Sequence, residues 1–175
     1  MKTALIYSSL TGNTRKVAQA VMKVMPPDTD MYPVASAPDP APYELLALGF
    51  WVDRGGPDPE IADYMARLQN KTIILFGTLG AWPDSEHGRQ VLSRAKDLLS
   101  SNHILGSFLC LGRIDPKLLE KMAHMAAGGD KTHPMTPERA ARIKEAEKHP
   151  DAQDLHNARS TVRGMLAGLP DLPAT

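Results

Sequence analysis

Four short, uninterrupted apolar runs constrain the fold of this chain more than any other feature of its sequence. None of them alternates apolar with polar residues, as a strand with one solvent-exposed face does. Continuous runs of this length suit strands that are buried on both faces, which is typical of parallel sheets covered by helices. The runs occupy residues 3–7, 45–50, 72–76 and 104–111.

Between these runs, apolar residues recur at helical spacing. Residues 61–68 and 91–99 each carry an apolar stripe with the i, i+3, i+4 pattern of an amphipathic helix. The alternation of buried strands with such helices predicts an α/β fold with helices on both faces of a parallel sheet. No shift in composition marks a linker, so we expect a single domain over residues 1–175.

Residues 29–34 also resemble a strand, within a segment rich in proline. Because proline has no amide hydrogen to donate, Pro33 restricts this strand to an edge of the sheet. An edge position for the second strand fits the doubly wound order 2-1-3-4-5, whereas the order 3-2-1-4-5-6 would place it inside. We therefore predict a doubly wound, five-stranded parallel sheet in the order 2-1-3-4-5.

Composition excludes several classes of partner. Twenty Lys and Arg residues balance twenty Asp and Glu residues, so net charge attracts neither nucleic acid nor an anionic membrane. The single cysteine, Cys110, allows no intrachain disulfide and no CxxC motif. No run of about eighteen apolar residues is present to span a bilayer, and the histidines lack metal-ligand spacing. We expect a cytoplasmic protein that is a monomer or a weak homodimer and has no metal site.

Beyond the fifth predicted strand the pattern is helical. Residues 113–150 form a helical insertion before the final helix, with a turn-rich segment at residues 128–134 and a helix that opens at Pro137. Three roles stay open for this insertion: packing beside the site, forming a partner surface, or lengthening the core. A sustained apolar stripe over residues 155–169 predicts that the final helix docks on the sheet.

The loop after the first predicted strand has the composition of a phosphate site. Residues 8–14 read SSLTGNT and lead directly into the first predicted helix. The amides at a helix N-terminus are unsatisfied donors, hydroxyl groups add further donors, and Gly12 lets the backbone approach a ligand closely. The alternative is that Ser9 or Thr11 merely caps the helix.

Other phosphate-handling sites lack their defining residues. The chain has neither GxxxxGK[ST], which a nucleoside-triphosphatase requires, nor GxGxxG, which marks a dinucleotide site. A cysteine-dependent phosphatase needs its thiolate in this loop, and Cys110 lies far along the chain. A phosphoacceptor domain needs an aspartate at the end of the third strand, where Gly49 and Phe50 stand.

With these residues the chain resembles a flavodoxin. The segment SLTGNT at residues 9–14 is similar to the flavin mononucleotide (FMN) phosphate loop of that family, [ST]-x-T-G-x-T. The segments GFWVDRGG at residues 49–56 and GTLGAWPD at residues 77–84 follow the third and fourth predicted strands, where flavodoxins place aromatic residues against the flavin. The resemblance implies bound FMN, with Trp51 as its inner and Trp82 as its outer stacking partner.

The resemblance gives a set of candidate cofactor-binding residues on three loops that converge on one edge of the sheet. It implies no catalytic residue. The candidates are Ser8, Ser9, Leu10, Thr11, Gly12, Asn13, Thr14, Phe50, Trp51, Val52, Asp53, Arg54, Gly55, Thr78, Leu79, Gly80, Ala81, Trp82 and Asp84.

As a function, the resemblance implies an electron-transfer carrier that exchanges electrons with redox partner proteins. The alternative is an FMN-dependent NAD(P)H-linked reductase, or a reductase subunit, for an organic acceptor. Two departures from the family pattern favour the alternative: Val52 stands where many flavodoxins have glycine, and Arg54 stands where acidic residues are usual. A third possibility is a scaffold without flavin, against which the intact hydroxyl loop and both tryptophans argue.

Overall fold

The computed structural model describes residues 1–127 and 135–169. Strands and helices alternate along the chain, with three exceptions: only a short 3-10 helix (Val34–Ser36) separates β2 from β3, a two-residue strand follows β3, and three helices follow one another at the end. The strands are β1 (Thr3–Tyr7), β2 (Asp30–Pro33), β3 (Leu45–Asp53), β4 (Gly56–Pro57), β5 (Thr72–Leu79) and β6 (His103–Leu111). The helices are α1 (Asn13–Met22), α2 (Pro59–Met65), α3 (Glu86–Leu98), α4 (Pro116–Ala127), α5 (Pro137–Ala146) and α6 (Ala152–Leu166).

Five of the strands form one parallel sheet in the order β2-β1-β3-β5-β6. The predicted doubly wound α/β sheet and its order are confirmed, since β5 and β6 are the fourth and fifth long strands. Pro33 ends β2 at the sheet edge, as its missing amide hydrogen predicts. The sheet has one strand more than predicted, because β4 turns back and pairs antiparallel with the end of β3.

The two faces of β3 explain why its sequence is continuously apolar. Leu46, Leu48 and Phe50 face one core, which also holds the buried side chains of α2 and α3. Leu45 and Ala47 face the opposite core, which α1 and α6 cover. Because both sides of the strand are buried, no polar residue interrupts it.

β6 departs from the expectation that each apolar run is buried on both faces. It lies at the sheet edge opposite β2, and most of its side chains are only half-buried. Cys110 and Leu111 at its carboxyl end are the buried exceptions. Burial raises the pKa of the Cys110 thiol, which keeps that thiol protonated and unreactive.

Two helices of the chain segment 113–150 are described, α4 and α5, and the predicted turn at residues 128–134 lies outside the described residues. Thr136 caps α5 by accepting a hydrogen bond from the Arg139 amide. Asp151 and Asp154 cap α6 reciprocally. Asp151 and Asp154 lie close enough to His149 to resemble a metal cluster, but both carboxylates serve this cap and Asp154 also bonds His149. Within the described residues, no helix is long and apolar enough to cross a membrane.

Candidate functional site

A cavity of about 1050 Å³ opens at the carboxyl ends of β1, β3 and β5, where ligands bind in open α/β sheets. One side of it, which we call the sheet wall, consists of residues at these strand ends and in the loops that follow them. The sheet wall comprises Leu10, Thr11, Asn13, Thr14, Trp51, Val52, Arg54, Gly55, Thr78, Leu79, Gly80, Ala81 and Trp82.

A second side, the helical wall, comes from α4 and α5 and so from the inserted segment. It comprises Leu118, Met122, Thr136, Glu138, Arg139 and Arg142. The cavity is completed by the start of α3 and by the residues after β6. These are Ser85, Glu86, His87, Gln90, Arg94, Gly112, Arg113, Ile114 and Asp115.

The loop after β1 leaves the N-terminus of α1 open to a ligand. Gly12 is the N-cap residue with φ of 90°, and no side-chain oxygen caps the helix there. The Ser9 hydroxyl accepts a hydrogen bond only from the Arg15 amide, at 3.2 Å. The Arg15 amide is thus engaged, and the amides of Asn13 and Thr14, the first two of α1, keep their donors for an anion at the positive end of the helix dipole.

Two buried hydroxyl contacts fasten this loop to its neighbours. Thr14 and Thr78 share a hydrogen bond of 2.9 Å between their hydroxyl oxygens, which ties the start of α1 to the end of β5. Ser8 donates to Asp58 Oδ1 at 2.8 Å, and the Asp58 amide donates to the Trp51 carbonyl oxygen at 3.0 Å. Asp58 thus links the loop after β1 to the segment that carries Trp51.

Asp58 is buried, and its second carboxylate oxygen has no hydrogen-bond partner among the described residues. Burial raises the pKa of this carboxyl, although bonds from Ser8 and from the backbone of Ile61 and Trp51 act in the opposite direction. The same side chain caps α2 by accepting from the Ile61 amide. Asp58 lies behind the sheet wall and holds the loops of the site together. No sequence motif around Asp58 indicated this role.

The segment after Trp51 is a tight hairpin between β3 and β4, not an open loop. Asp53 pairs with Gly56, and the two residues between them have positive φ, 49° at Arg54 and 82° at Gly55. Positive φ at both central positions is the requirement of a type I′ turn. Val52 lies within β3 opposite Pro57, so the left-handed backbone falls two positions after it.

Arg94 of α3 holds the tip of this hairpin. Its Nη1 donates to the carbonyl oxygens of Arg54 and Gly55, both at 3.1 Å. The position favours glycine because its φ is 82°, and a Cβ there would lie 2.7 Å from that same nitrogen and so displace the guanidinium. The hairpin is consequently fixed from one side by Arg94 and from the other by Asp58.

Both tryptophans line the cavity. Trp51 is half-buried at the end of β3, whereas Trp82 is 45% exposed on the loop after β5. Leu10 at the mouth is 61% exposed. The site therefore offers flat apolar surface on two loops, and part of that surface faces solvent.

Six of the predicted cofactor-binding residues do not line the cavity. Phe50 is buried in the core of the sheet, and the hydroxyl groups of Ser8 and Ser9 serve Asp58 and α1 as described. Gly12 acts through its backbone. The six are Ser8, Ser9, Gly12, Phe50, Asp53 and Asp84.

The lining residues that sequence reasoning missed come mainly from the segment after β6. Asn13 Nδ2 donates to the Arg113 carbonyl oxygen at 2.8 Å, and the Ile114 side chain packs over Gly80, where a Cβ would lie 2.7 Å from it. These contacts bring the start of the insertion against two loops of the sheet wall. The available signal was topological, since the insertion begins at the carboxyl end of a parallel strand.

Comparisons with known proteins agree with this geometry. A family model described as a flavodoxin domain matches residues 4–163. The flavodoxin-like domain-containing protein BilS of Clostridioides difficile (strain CD3) is 31% identical over 172 residues, which cover 95% of this chain and 97% of that protein. BilS of Clostridium symbiosum (strain WAL-14163) is 32% identical over 144 residues, 71% of this chain and 75% of that one.

Solved structures share the fold at low identity. A flavoprotein from Lactobacillus acidophilus NCFM in complex with FMN matches with a TM-score of 0.52 and 15% identity, covering 70% of this chain and 98% of that one. A short-chain flavodoxin associated with a non-canonical PDU bacterial microcompartment matches with a TM-score of 0.51 and 13% identity, covering 91% and 99%. The family model and the BilS relatives together show that this chain belongs to the flavodoxin family.

Proposed function

We propose that this protein binds FMN noncovalently at the sheet wall and exchanges electrons through it with redox partner proteins. One observation carries the proposal: a helix N-terminus whose first two amides are open and two tryptophans line the same cavity at the carboxyl edge of the sheet. When bound, FMN supplies the capacity to accept and release one or two electrons.

The residues of the sheet wall fit the two chemically different ends of FMN. The open amides of α1 and the exposed Thr11 hydroxyl suit a phosphate monoester, because an anion there satisfies donors that the protein leaves free. Trp51 and Trp82 supply the flat apolar area that a flavin ring requires. The complex of the similar Lactobacillus flavoprotein with FMN supports this reading.

Electron exchange with a partner needs a path from the cavity to the surface. Leu10 and Trp82 are exposed beside the cavity, so part of the rim of its mouth is apolar. The formal net charge of zero means that recognition of a partner relies on this local surface, since overall electrostatic steering is absent.

A second candidate function is an FMN-dependent reductase, or reductase subunit, that acts on an organic acceptor. The helical wall favours this function, because it lines the same cavity as the sheet wall and encloses more of the space beside the flavin site than the loops alone do. A reductive titration of the FMN-loaded protein separates the candidates. Two resolved one-electron potentials support the carrier, whereas a single two-electron potential supports the reductase.

The FMN assignment is tested by Thr11→Val, with Ser160→Ala as a matched removal of an exposed hydroxyl on α6. We expect Thr11→Val to weaken FMN binding roughly tenfold and to leave riboflavin binding unchanged, since a hydrogen bond to a charged group is lost only with the phosphate. Equal losses for FMN and riboflavin would contradict the placement of the phosphate beside Thr11.

A further inference from the structure

Arg139 and Arg142 stand out on the helical wall because they lack partners. Both are half-buried and line the cavity, and the Nε atom of each is buried without a hydrogen-bond partner among the described residues. Arg139 Nη2 contacts only a weak acceptor, Met122 Sδ, at 3.8 Å. Within residues 1–127 and 135–169, neither guanidinium forms an ion pair.

The two charges also oppose each other. Burial, followed by the charge of neighbouring Arg139, lowers the pKa of Arg142. A half-buried pair of like charges is unfavourable unless an anion joins it, because each charge has lost part of its hydration without gaining a partner. Guanidinium groups bind carboxylates through parallel N–H···O bonds, so an oxyanion is the natural third member.

The carboxylates that line the cavity are already engaged elsewhere. Glu86 bonds Arg89 at 2.8 Å, and Asp115 Oδ1 accepts from the Lys117 amide at 2.9 Å. Hydrogen bonds with its own backbone and with Thr136 lower the pKa of Glu138, so this acid serves the start of α5. Among the described residues, the cavity therefore offers the two arginines no free carboxylate, and an anion from outside the protein can complement them.

The cavity is large for the pocket of a single small ligand. Its volume of about 1050 Å³ lies at the upper limit of the roughly 300–1,000 Å³ that is usual for the pocket of one small ligand. Beside its polar residues the lining offers apolar side chains, namely Met122, whose sulfur contacts Arg139, together with Leu118, Trp82 and Ile114. An apolar body with a charged end matches this surface.

We infer that Arg139 and Arg142 bind the carboxylate of a small apolar organic molecule. This molecule lies between the helical wall and the cofactor on the sheet wall, so the inference rests on the proposed function. The inserted helices α4 and α5 are then a ligand-binding element added to the flavodoxin sheet. Their role in this inference is recognition, and the two arginines are specificity-determining residues.

The test uses FMN-loaded protein and three aromatic carboxylates: benzoate, naphthalene-2-carboxylate and 4-phenylbutanoate. The neutral amide of each is the matched ligand, and binding is followed by calorimetry and by the change in the flavin absorption spectrum. We expect at least one carboxylate to bind roughly tenfold or more tightly than its amide, since charge-assisted hydrogen bonds are formed only with the acid.

The variant Arg139→Gln/Arg142→Gln should remove this preference for the carboxylate. Lys144→Gln/Arg163→Gln, which removes two positive charges from exposed positions on α5 and α6, should retain it. The single variant Arg142→Lys keeps the charge and loses the planar guanidinium, so we expect it to show an intermediate preference for the carboxylate. It tests the inference even if the double variant does not fold. No preference in the wild-type protein for any of the three acids, or a preference that survives in Arg139→Gln/Arg142→Gln, would overturn the inference.

FMN carries an oxyanion of its own, and a separate titration distinguishes it. The double arginine variant should bind FMN and riboflavin with wild-type affinities. A loss for FMN of tenfold or more without a loss for riboflavin would show that the arginines hold the FMN phosphate, which overturns the inference while the proposed function stands. If the wild-type protein does not bind FMN, the proposed function itself fails.

Discussion

The two walls of the cavity differ in how their polar groups are satisfied. On the sheet wall, Thr14 pairs with Thr78 and Arg94 holds the backbone of the hairpin. On the helical wall, Arg139 and Arg142 repel each other, and neither has a carboxylate partner within the part of the chain that the structure describes. The side chains of the first wall are thus paired within the protein, apart from the open amides of α1, whereas the two arginines of the second wall are the groups that we infer to bind a ligand.

This difference separates stability from recognition. Substitutions behind the sheet wall should reduce the free energy of unfolding, because they leave buried donors without acceptors. Substitutions of the two arginines should change ligand binding and leave the free energy of unfolding almost intact.

Replacing Asp58 by alanine should have the largest effect. It removes the cap of α2 and the acceptor of the Ser8 hydroxyl, so we expect the free energy of unfolding to fall by about 2–3 kcal/mol. Urea unfolding of the apoprotein measures this change. Asp58→Asn keeps one acceptor oxygen and should cost less, and equal stability of wild type and Asp58→Ala would show that Asp58 does not join the loops.

Gly55→Ala should have the next largest effect. The substitution places a Cβ 2.7 Å from Arg94 Nη1 on a backbone with φ of 82°, and we expect a loss of about 1–2 kcal/mol in the free energy of unfolding. Gly164→Ala, at a helical glycine with open space around it, is the matched control and should not destabilise. Wild-type stability of Gly55→Ala would mean that the hairpin adopts another turn.

The pH dependence of stability should reflect the buried carboxyl of Asp58. Because burial raises its pKa in the folded state, the unfolded chain releases this proton first, and the free energy of unfolding declines as pH rises from the ordinary carboxyl range through the folded pKa. Asp58→Asn should lack this decline. The informative quantity is the difference between the two proteins at each pH, since all other carboxyl groups contribute equally to both.

The smallest expected change in stability belongs to the helical wall. In the absence of ligand, Arg139→Gln/Arg142→Gln should unfold within about 0.5 kcal/mol of the wild-type protein, or be more stable, because a repulsive pair is removed. Thermal unfolding in low-salt, phosphate-free buffer measures it. A loss comparable to that of Asp58→Ala would mean that the arginines are structural and that the two walls do not differ.

The sheet and its loops could be predicted because their signals are local. Continuous apolar runs indicate buried strands, Pro33 fixes an edge, and the loop that contains Gly12 follows the first strand directly. Each of these inferences needs only residues that are adjacent in sequence. The strand order then brings three loops to one edge.

The remaining features depend on contacts between distant residues. The hairpin was missed because positive φ at Arg54 is uncommon for a residue other than glycine. Packing of α5 beside the site was one of three roles left open for residues 113–150, because an amphipathic stripe shows that one face is covered and not what covers it. The role of Asp58 arises from Ser8 and Trp51, which lie 50 and 7 positions away, and no spacing rule connects the three.

The central claim is that the sheet wall binds FMN through both its phosphate and its ring. The most direct measurement is a titration of the wild-type apoprotein with FMN and with riboflavin, followed by quenching of flavin fluorescence. We predict one FMN per chain, bound roughly a hundredfold more tightly than riboflavin because several charge-assisted bonds involve only the phosphate. Equal affinity for the two flavins would contradict a phosphate site on the sheet wall, and no binding of either would contradict a flavin site there.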